Sequence, residues 1–463
     1  MDLPAVYPVS SKAVLIGTAS AMPDDYLKSL QSGLAPAQRL SQIVEHSMCI
    51  GCGICQGIVG PEKITLEVTE NGNLRPVAGD SLSHEDMDRV IDVCPGTRID
   101  GMPDSERTAG CRTDEVWGVW HDICFCWSAD PGIRHMAATG GALTAIGLYL
   151  LESGEIDFLV HARASGTHPA LGERHISRTR QDVLSGSGSR YGPTPTLLDI
   201  SDIIESADRN NENFAFVGTP CDVSALRNYS RHEPRVSRYC RSILTMVCGG
   251  FMELSGTRER LAAFGIEYRD VASLRYRGYG CPGPTVVATR DGRTVSMNYL
   301  DYWGKDESTW NLPPRCKVCP DGIGDAADIA AADTWDGGSP PQHGQEDDPG
   351  VNAVLARTQR GREIMDRAIA AGYLVRGDSL TCEDLNRLQP HQANKKRAVW
   401  ARFQGLKDSG RIVPLTSGLR LESLHDRNRP EFNERERQGT RRRVAEGRFS
   451  EPTPKRCRSR GCD

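Results

Sequence analysis

Two patterns in this sequence predict its fold class, an α/β (α+β) central domain with a cysteine module on its N-terminal side. Strand-like and helix-like segments alternate through the middle of the chain, which argues a layered α/β domain. Ahead of them the cysteines recur as Cys49-x-x-Cys52-x-x-Cys55, and Cys94-Pro95 follows after a long gap. Two-residue spacers let successive thiolates wrap round one iron–sulfur cube while a fourth ligand arrives from elsewhere. Gly51 and Gly53 supply the close backbone approach and unusual φ/ψ that such a wrap needs. Pro95 stops a helix at Cys94. Cys49, Cys52, Cys55 and Cys94 are therefore expected to hold a 4Fe-4S cluster. Zinc is the rival, because C-x2-C also suits a tetrahedral site. A third cysteine at the same spacing and the Cys-Pro pair favour iron.

The elements follow in order. Residues 1–35 read as an irregular leader without chemistry, and the cysteine module as 36–105. Within the module, Ile64 to Val68 is a strand and Asn71-Gly72 a hairpin turn. Ser83 caps a helix that opens at His84 and runs into Cys94. Two strands, a turn and a helix around cysteines suit half of a ferredoxin-like unit. The central domain spans 106–375, with a helix over Ala142–Glu152 and buried strands at Phe158–His161, Phe214–Gly218 and Ser242–Val247. A helical extension, 376–429, precedes the arginine-rich stretch 430–463. That stretch has few apolar groups to offset the entropy of ordering, so it reads as a mobile basic tail.

Composition narrows the function classes. The chain has 463 residues, 38% of them hydrophobic, enough for two or three domains, and a formal net charge of -5. No general nucleic-acid affinity follows, and the basic tail lacks interleaved aromatics that would stack bases. Sixteen cysteines are too many for a thiol-neutral protein, and the chain is too long for a small disulfide scaffold. Metal ligation in a reducing cytoplasm explains them better. Met1 to Leu30 lacks the basic and apolar regions of a signal peptide. The longest uncharged run, Met136 to Leu151, is too short for a clear membrane span. A soluble, cytoplasmic protein is expected.

The middle of the chain carries a second cysteine set. Cys221 and Cys248 follow predicted strands, and Cys316-x-x-Cys319 supplies a close pair. Ends of neighbouring strands lie side by side, so ligands distant in sequence converge there. By spacing alone this four-ligand proposal is weak, and zinc competes with iron. Thr139-Gly140-Gly141-Ala-Leu-Thr144 is a small-residue turn leading into a helix, where free N–H groups attract anions; a packing turn is the bland alternative. Ser189-Arg190-Tyr191 adds a cation and an aromatic face. The loop from Arg275 to Gly283 is dense in arginine, aromatic and glycine residues, suited equally to a structural loop and to an anionic planar ligand. Cys124-Phe-Cys126 is taken as two free, partly buried thiols rather than a third metal site or redox pair. Cys111, Cys240, Cys281 and Cys382 are read the same way, with Cys457 and Cys462 as tail thiols. His121, His135 and His168 show no spacing that demands a role.

In this order the motifs resemble the beta-subunit family of coenzyme F-420 hydrogenases and dehydrogenases, which also contains 7-hydroxymethyl chlorophyll a reductases. The resemblance rests on both cysteine sets, Thr139–Thr144, Ser189–Tyr191, Val217-Gly-Thr-Pro-Cys221 through Leu226, and Tyr276-Arg-Gly278 with Pro282-Gly283. It also takes in Ala327-Asp-Ile329 and Asp333, and covers roughly residues 45–400. It implies FAD in the central domain, with Thr139, Gly140, Gly141 and Thr144 near its phosphates and Ser189, Arg190 and Tyr191 in the same ligand site. It further implies a second 4Fe-4S cluster on Cys221, Cys248, Cys316 and Cys319. The implied activity is electron transfer between a one-electron carrier, such as ferredoxin or a redox partner subunit, and a deazaflavin or conjugated organic molecule. A relay subunit without its own catalysis and a zinc-stabilised binding protein are the alternatives. Departures are Asp222, where the family often has glutamine, Arg190, where a lysine is common, and the basic tail.

Overall fold

The computed structural model describes residues 24–69, 71–304, 310–344, 347–451 and 454. Most of the expected leader and the tail thiols Cys457 and Cys462 lie outside the described residues. Eight strands form one mixed sheet. Its order is Leu374–Ser379, Asp122–Ser128, Asn352–Ala356, Ile329–Ala332, Cys240–Met246, Phe214–Gly218, Phe158–Ala164 and Gly172–Ser177. The four strands beginning at Ile329, Cys240, Phe214 and Phe158 run parallel to their neighbours within that set. The flanking strands are antiparallel.

Parallel strands buried on both faces read as nearly continuous apolar runs. Phe214-Ala-Phe is such a run. Phe214 and Phe216 pack into one core with the N-terminal helices, while Ala215 joins a second core with the Ala142–Glu152 helix. The side-chain period of two thus couples the cysteine module to one face of the sheet and the long helices to the other. The expected helix Ala142–Glu152 and the expected strand Phe214–Gly218 are present with those bounds.

The cysteine module contains an antiparallel hairpin of Ile64–Val68 and Leu74–Ala78, turning through Gly72 at φ 76. Its helix His84–Val93 is capped by Ser83, whose hydroxyl accepts from the Asp86 amide, and ends at Cys94. The expected irregular leader is corrected in part: Asp24–Leu30 is a helix with Leu27 buried, and the Tyr26 hydroxyl donates to the Arg411 carbonyl at 2.9 Å.

The mobile tail is also corrected. Pro430–Ala445 is a helix lying across the long helix Pro390–Asp408, and the chain continues in contact to Glu451. Composition misled because ion pairs supplement the few apolar contacts that hold it, Phe449 in the main core and Val444 packed against it. Arg402 meets Glu436 at 2.8 Å and Arg437 meets Asp408 at 2.6 Å. The fully buried Arg75 takes Glu451 through Nε at 2.9 Å. The two helices approach closely at Gly405, where an added Cβ would stand 2.6 Å from the Arg437 carbonyl oxygen. Gly405→Val therefore forces the helices apart. We expect a stability loss of about 1–3 kcal/mol in urea unfolding and faster proteolytic clipping between 430 and 451. An unchanged unfolding midpoint and clipping pattern would show that this crossing is not a constraint.

Candidate functional site

The first thiol group assembles where two helix ends meet. Cys49 and Cys52 lie before the helix Ile54–Val59, Cys55 is in it, and Cys94 caps the His84–Val93 helix. Gly51 and Gly53 have φ of 74 and 87. A Cβ on them would stand 2.6 Å from the Leu74 carbonyl oxygen and 2.8 Å from the Leu198 nitrogen, so both turn and space require glycine. All four cysteines line one small enclosed space with Pro95 and Gly96. Burial raises each thiol above its ordinary pKa, with Cys94 pushed up to about 11. Their mutual repulsion adds to this: Cys94 bears on Cys52, and Cys49 bears on both Cys55 and Cys94.

The second group forms at the carboxyl ends of parallel strands. Thr245 of one strand stands opposite Gly218 of the next, which brings Cys248 beside Cys221. Cys316 lies in the short helix Pro314–Lys317, and Cys319 follows it. Burial, then Cys316 and Cys319, pushes the Cys248 thiol up to about 12. Burial raises Cys221 too, with Asp222, Cys319 and Cys248 adding to it. Among the described residues, no three His, Cys, Asp or Glu side chains are arranged to hold a single metal ion. The donor chemistry of both groups fits a four-thiolate centre, since a bound cation favours the thiolates that burial alone disfavours.

A cavity of about 3050 Å³ opens at the same strand ends. Cys52 reaches its wall from the first group, and Cys221, Cys248 and Cys316 from the second. Of the residues expected to bind a cofactor, Thr139, Gly141, Thr144, Ser189, Arg190 and Tyr191 line it. Gly140 does not; its missing side chain makes room for the Asn352 backbone, where a Cβ would lie 2.9 Å from nitrogen. Gly141 sits at φ 74 as the residue before the helix, and the first helical N–H, of Ala142, is already taken by Asn352 Oδ1 at 3.1 Å. The turn thus has a packing role at Gly140 beside any ligand role at Gly141. Elsewhere on the lining, half-buried Arg190 donates from Nη1 to the Leu274 carbonyl at 3.3 Å while its Nε is buried and unpartnered, as is the Ser187 hydroxyl. Those buried donors fit an anionic group in the cavity.

Sequence reasoning quoted Asp333 and the Arg275–Gly283 loop without seeing their junction. Arg277 is fully inside and donates from Nη1 to Asp333 Oδ2 at 3.0 Å and to the Tyr191 hydroxyl at 3.0 Å. Its Nη2 donates to the Ala138 carbonyl at 2.8 Å. Thr139 also donates to Asp333. Trp335 lies under the guanidinium, 4.8 Å from its carbon. The strand-end position of Asp333 was the available signal. Asn352 and Gln392, which donates to the Cys248 carbonyl at 2.9 Å, gave none.

His161 was also missed. It lines the cavity, stands against Gly186, and accepts from or donates to Ser177 Oγ at 2.7 Å and the Ala162 carbonyl at 3.1 Å. The carbonyl can only accept, so Nδ1 carries the proton and Nε2 accepts from Ser177. Burial, then His175, lowers its pKa from 6.5 to about 4. An unfolded histidine titrates near its ordinary value, so this site contributes stability above about pH 6.5 and loses it as pH falls toward 4. His161→Gln should flatten that acid limb by about 1 kcal/mol or more, read as urea unfolding free energy between pH 4.5 and 7. An equally steep limb in the variant would assign the acid sensitivity elsewhere.

Comparison with known proteins gives a consistent result. The family model for the C terminus of the coenzyme F-420 hydrogenase/dehydrogenase beta subunit matches residues 211–378, and the model for its N-terminal part matches 123–200. Together they cover more than half of the chain. The coenzyme F-420 hydrogenase subunit beta of Methanococcus voltae is 24% identical over 290 residues, 60% of this chain and 94% of that protein. The same subunit of Methanothermobacter thermautotrophicus is 22% identical over 319 residues, 65% of this chain and 99% of that protein. The coenzyme F-420-dependent sulfite reductase of Methanocaldococcus jannaschii is 21% identical over 340 residues, 70% of this chain but 47% of that protein. A solved structure of the F-420-reducing NiFe hydrogenase complex of Methanosarcina barkeri superposes with a TM-score of 0.47 at 22% identity, covering 62% of this chain and 93% of that one. Among the described residues, no helix is long and apolar enough to cross a membrane.

Proposed function

The chain belongs to the coenzyme F-420 hydrogenase/dehydrogenase beta-subunit family, and from that premise we propose an oxidoreductase that carries electrons through two 4Fe-4S clusters and an FAD. The observation that carries this is that Cys52 of the first thiol group and Cys221, Cys248 and Cys316 of the second line one cavity. The groups are close enough that Asp222, next to Cys221, raises the Cys52 thiol. When bound, iron–sulfur clusters exchange single electrons and a flavin one or two, which links a one-electron carrier to an organic two-electron partner.

This chain's residues supply position and electrostatics. Cys49, Cys52, Cys55 and Cys94 would hold one cluster in a module of ferredoxin-like character, residues 36–105. Cys221, Cys248, Cys316 and Cys319 would hold the other. Ser187 and Arg190 would pair the flavin phosphates together with Gly141 and Thr144, while Arg277, fixed by Asp333, presents a buried cation beside Tyr191. Lys317, Lys395, Arg402 and Arg443 border the cavity near Cys316. Burial, then Arg443 and Arg448, lowers the Lys317 amine. Such crowding of cations favours docking of an acidic carrier such as ferredoxin, by raising its rate of encounter. The two-electron partner is a deazaflavin, as the names of the relatives suggest, or another conjugated molecule. A second reading, a relay subunit that passes electrons to a partner enzyme, is supported by relatives named as beta subunits.

Anaerobically purified protein tests the cofactor set. We expect about eight irons with matching acid-labile sulfide and one flavin per chain. Cys52→Ser should lose the first cluster and keep the flavin; Cys319→Ser should lose the second and perturb flavin absorbance. Reduced coenzyme F-420 should bleach the flavin of the intact protein. Substantial zinc without sulfide would overturn the clusters, and a flavin-free protein with full iron would remove FAD alone.

A further inference from the structure

Cys124 and Cys126 take no part in the proposed electron path, yet they form a close thiol pair outside it. Both lie on the strand Asp122–Ser128, both are fully buried, and their Sγ atoms are 3.5 Å apart. The pleat explains this: residues two apart point to the same face of a strand. The two free thiols expected from the sequence are therefore a facing pair.

A cation is aimed at one of them. Arg376 Nη1 donates to Cys124 Sγ at 3.2 Å. Asp122 grips the same guanidinium, with Nη2 to Oδ1 at 3.2 Å, and Nη2 also donates to Ser379 Oγ at 3.0 Å. The contact with Cys126 lowers the Cys124 thiol, against its burial and the Asp122 charge, and Arg376 assists; the same contact raises Cys126. Two facing sulfurs, one with a guanidinium on it and the other without, are the arrangement of an attacking and a resolving thiol.

There is also a route in. Arg376 and Ser379 belong to Leu374–Ser379, which stands at the edge of the sheet. Its pairing is interrupted at this point: Arg376 stands opposite Cys126 and Ser379 opposite Cys124, so three steps on the edge strand face two on its neighbour. Both sulfurs are fully buried, so a molecule of peroxide size reaches them when the ladder opens locally at this edge bulge.

We propose that Cys124 and Cys126 are a reversible redox modification site that a hydroperoxide converts to a disulfide. The Cys124 thiolate attacks one peroxide oxygen; an S–O bond forms, the O–O bond breaks, and the departing hydroxide takes a proton to become water. Cys126 then attacks the Cys124 sulfur, the S–S bond forms, and the sulfenic oxygen leaves as hydroxide, which takes the Cys126 proton to become water. The two thiols lose two electrons, and hydrogen peroxide gains them. A dithiol such as dithiothreitol reverses the step, becoming a disulfide itself. Residues two apart on a strand span about 6.6 Å, at the Cα limit for a disulfide and beyond its usual Cβ separation, so the strand must bend at the bulge for the bond to close. The bond is therefore strained and easily reduced, as suits a switch rather than a staple.

Trypsin isolates the pair, because the peptide of residues 113–134 contains Cys124 and Cys126 and no other cysteine. The anaerobically purified holoprotein is exposed to hydrogen peroxide at one equivalent, denatured in N-ethylmaleimide and digested without reductant. The expected peptide is unalkylated and lighter than the dithiol form by two hydrogen atoms. Dithiothreitol before the quench should restore the doubly alkylated form. In Cys126→Ser, a dimedone adduct should appear on Cys124. In Cys124→Ser, Cys126 should give none. Arg376→Met should slow oxidation of the pair about tenfold, and Arg376→Lys should recover part of that rate. A doubly alkylated peptide after peroxide, or sulfinic acid without a disulfide, would overturn the proposal. Because the readout is confined to one peptide of the unmodified sequence, poor folding of a variant cannot hide the result, and loss of the iron centres would not mimic it.

Discussion

The fold depends on one buried anion. Asp325 is fully enclosed, and burial alone would keep it protonated. Arg420 donates to both its oxygens at 2.9 and 2.8 Å, Lys396 donates to one of them, and Arg357 stands 4.0 Å away. Those cations hold its carboxyl well below the usual carboxylate range. Each comes from a different part of the chain: Lys396 from the long C-terminal helix, Arg420 from the turn before the helix Leu421–Arg427, Arg357 from the end of a sheet strand. Removing Asp325 itself would leave these buried cations without their shared counter-charge, the costly case for a buried ion cluster. Arg357 is not idle either, since it donates to the Trp117, Val119 and Ile323 carbonyls. The node thus ties the C-terminal helices to the sheet and fixes the loop that follows Cys319.

That tie matters because the cavity has no single wall of its own. Strand ends provide one side, and the turn at Gly141 and the loop around Arg190 provide another. The C-terminal helices close the third, with Gln392 on the Cys248 carbonyl and Lys395 on the Gly249 carbonyl at 3.2 Å. A parallel sheet offers a crevice at its carboxyl edge for topological reasons. Here the crevice becomes a cavity because the long C-terminal helix stands beside it, held by Lys396 on Asp325 and by the apolar face of Val399, Phe403 and Leu406. Packing of the C-terminal region and the geometry of the second thiol group are therefore one problem.

Much of this was legible. The wrap around Cys49–Cys55 announces itself because glycines and cysteines at fixed spacing have few other uses. The apolar runs at Phe214 and Ser242 follow from burial on both faces. Ser83 and the helix at His84 follow from capping chemistry. The second thiol group was only half legible, since convergence of Cys221, Cys248 and Cys316 requires knowing which strands are neighbours. Ion-pair order was not legible at all. The helix Pro430–Ala445 has the composition of a disordered tail, and what orders it is the placement of Glu436, Asp408 and Arg75 in three dimensions. The Arg277–Asp333 junction was hidden for the same reason: its partners are 56 residues apart in sequence.

Asp222 serves the helix that carries it and at the same time places an acid beside both thiol groups. Thr219-Pro-Cys-Asp222 forms a capping box at the start of the helix Pro220–Tyr229. The Asp222 carboxylate accepts from the Thr219 amide at 3.0 Å, the Thr219 hydroxyl at 2.7 Å and the Thr196 hydroxyl at 2.9 Å. Glutamine at that position can make the same return bond to the cap residue's N–H, so the helix start does not discriminate between them. The difference is ionisation. Glutamine is neutral at any pH, whereas Asp222 is an acid whose pKa burial raises, and its charge acts on both Cys221 and Cys52. The residue that closes the capping box is thus also a titratable group that bears on both thiol groups. Three donated hydrogen bonds oppose the effect of burial without cancelling it, so the net shift stays upward.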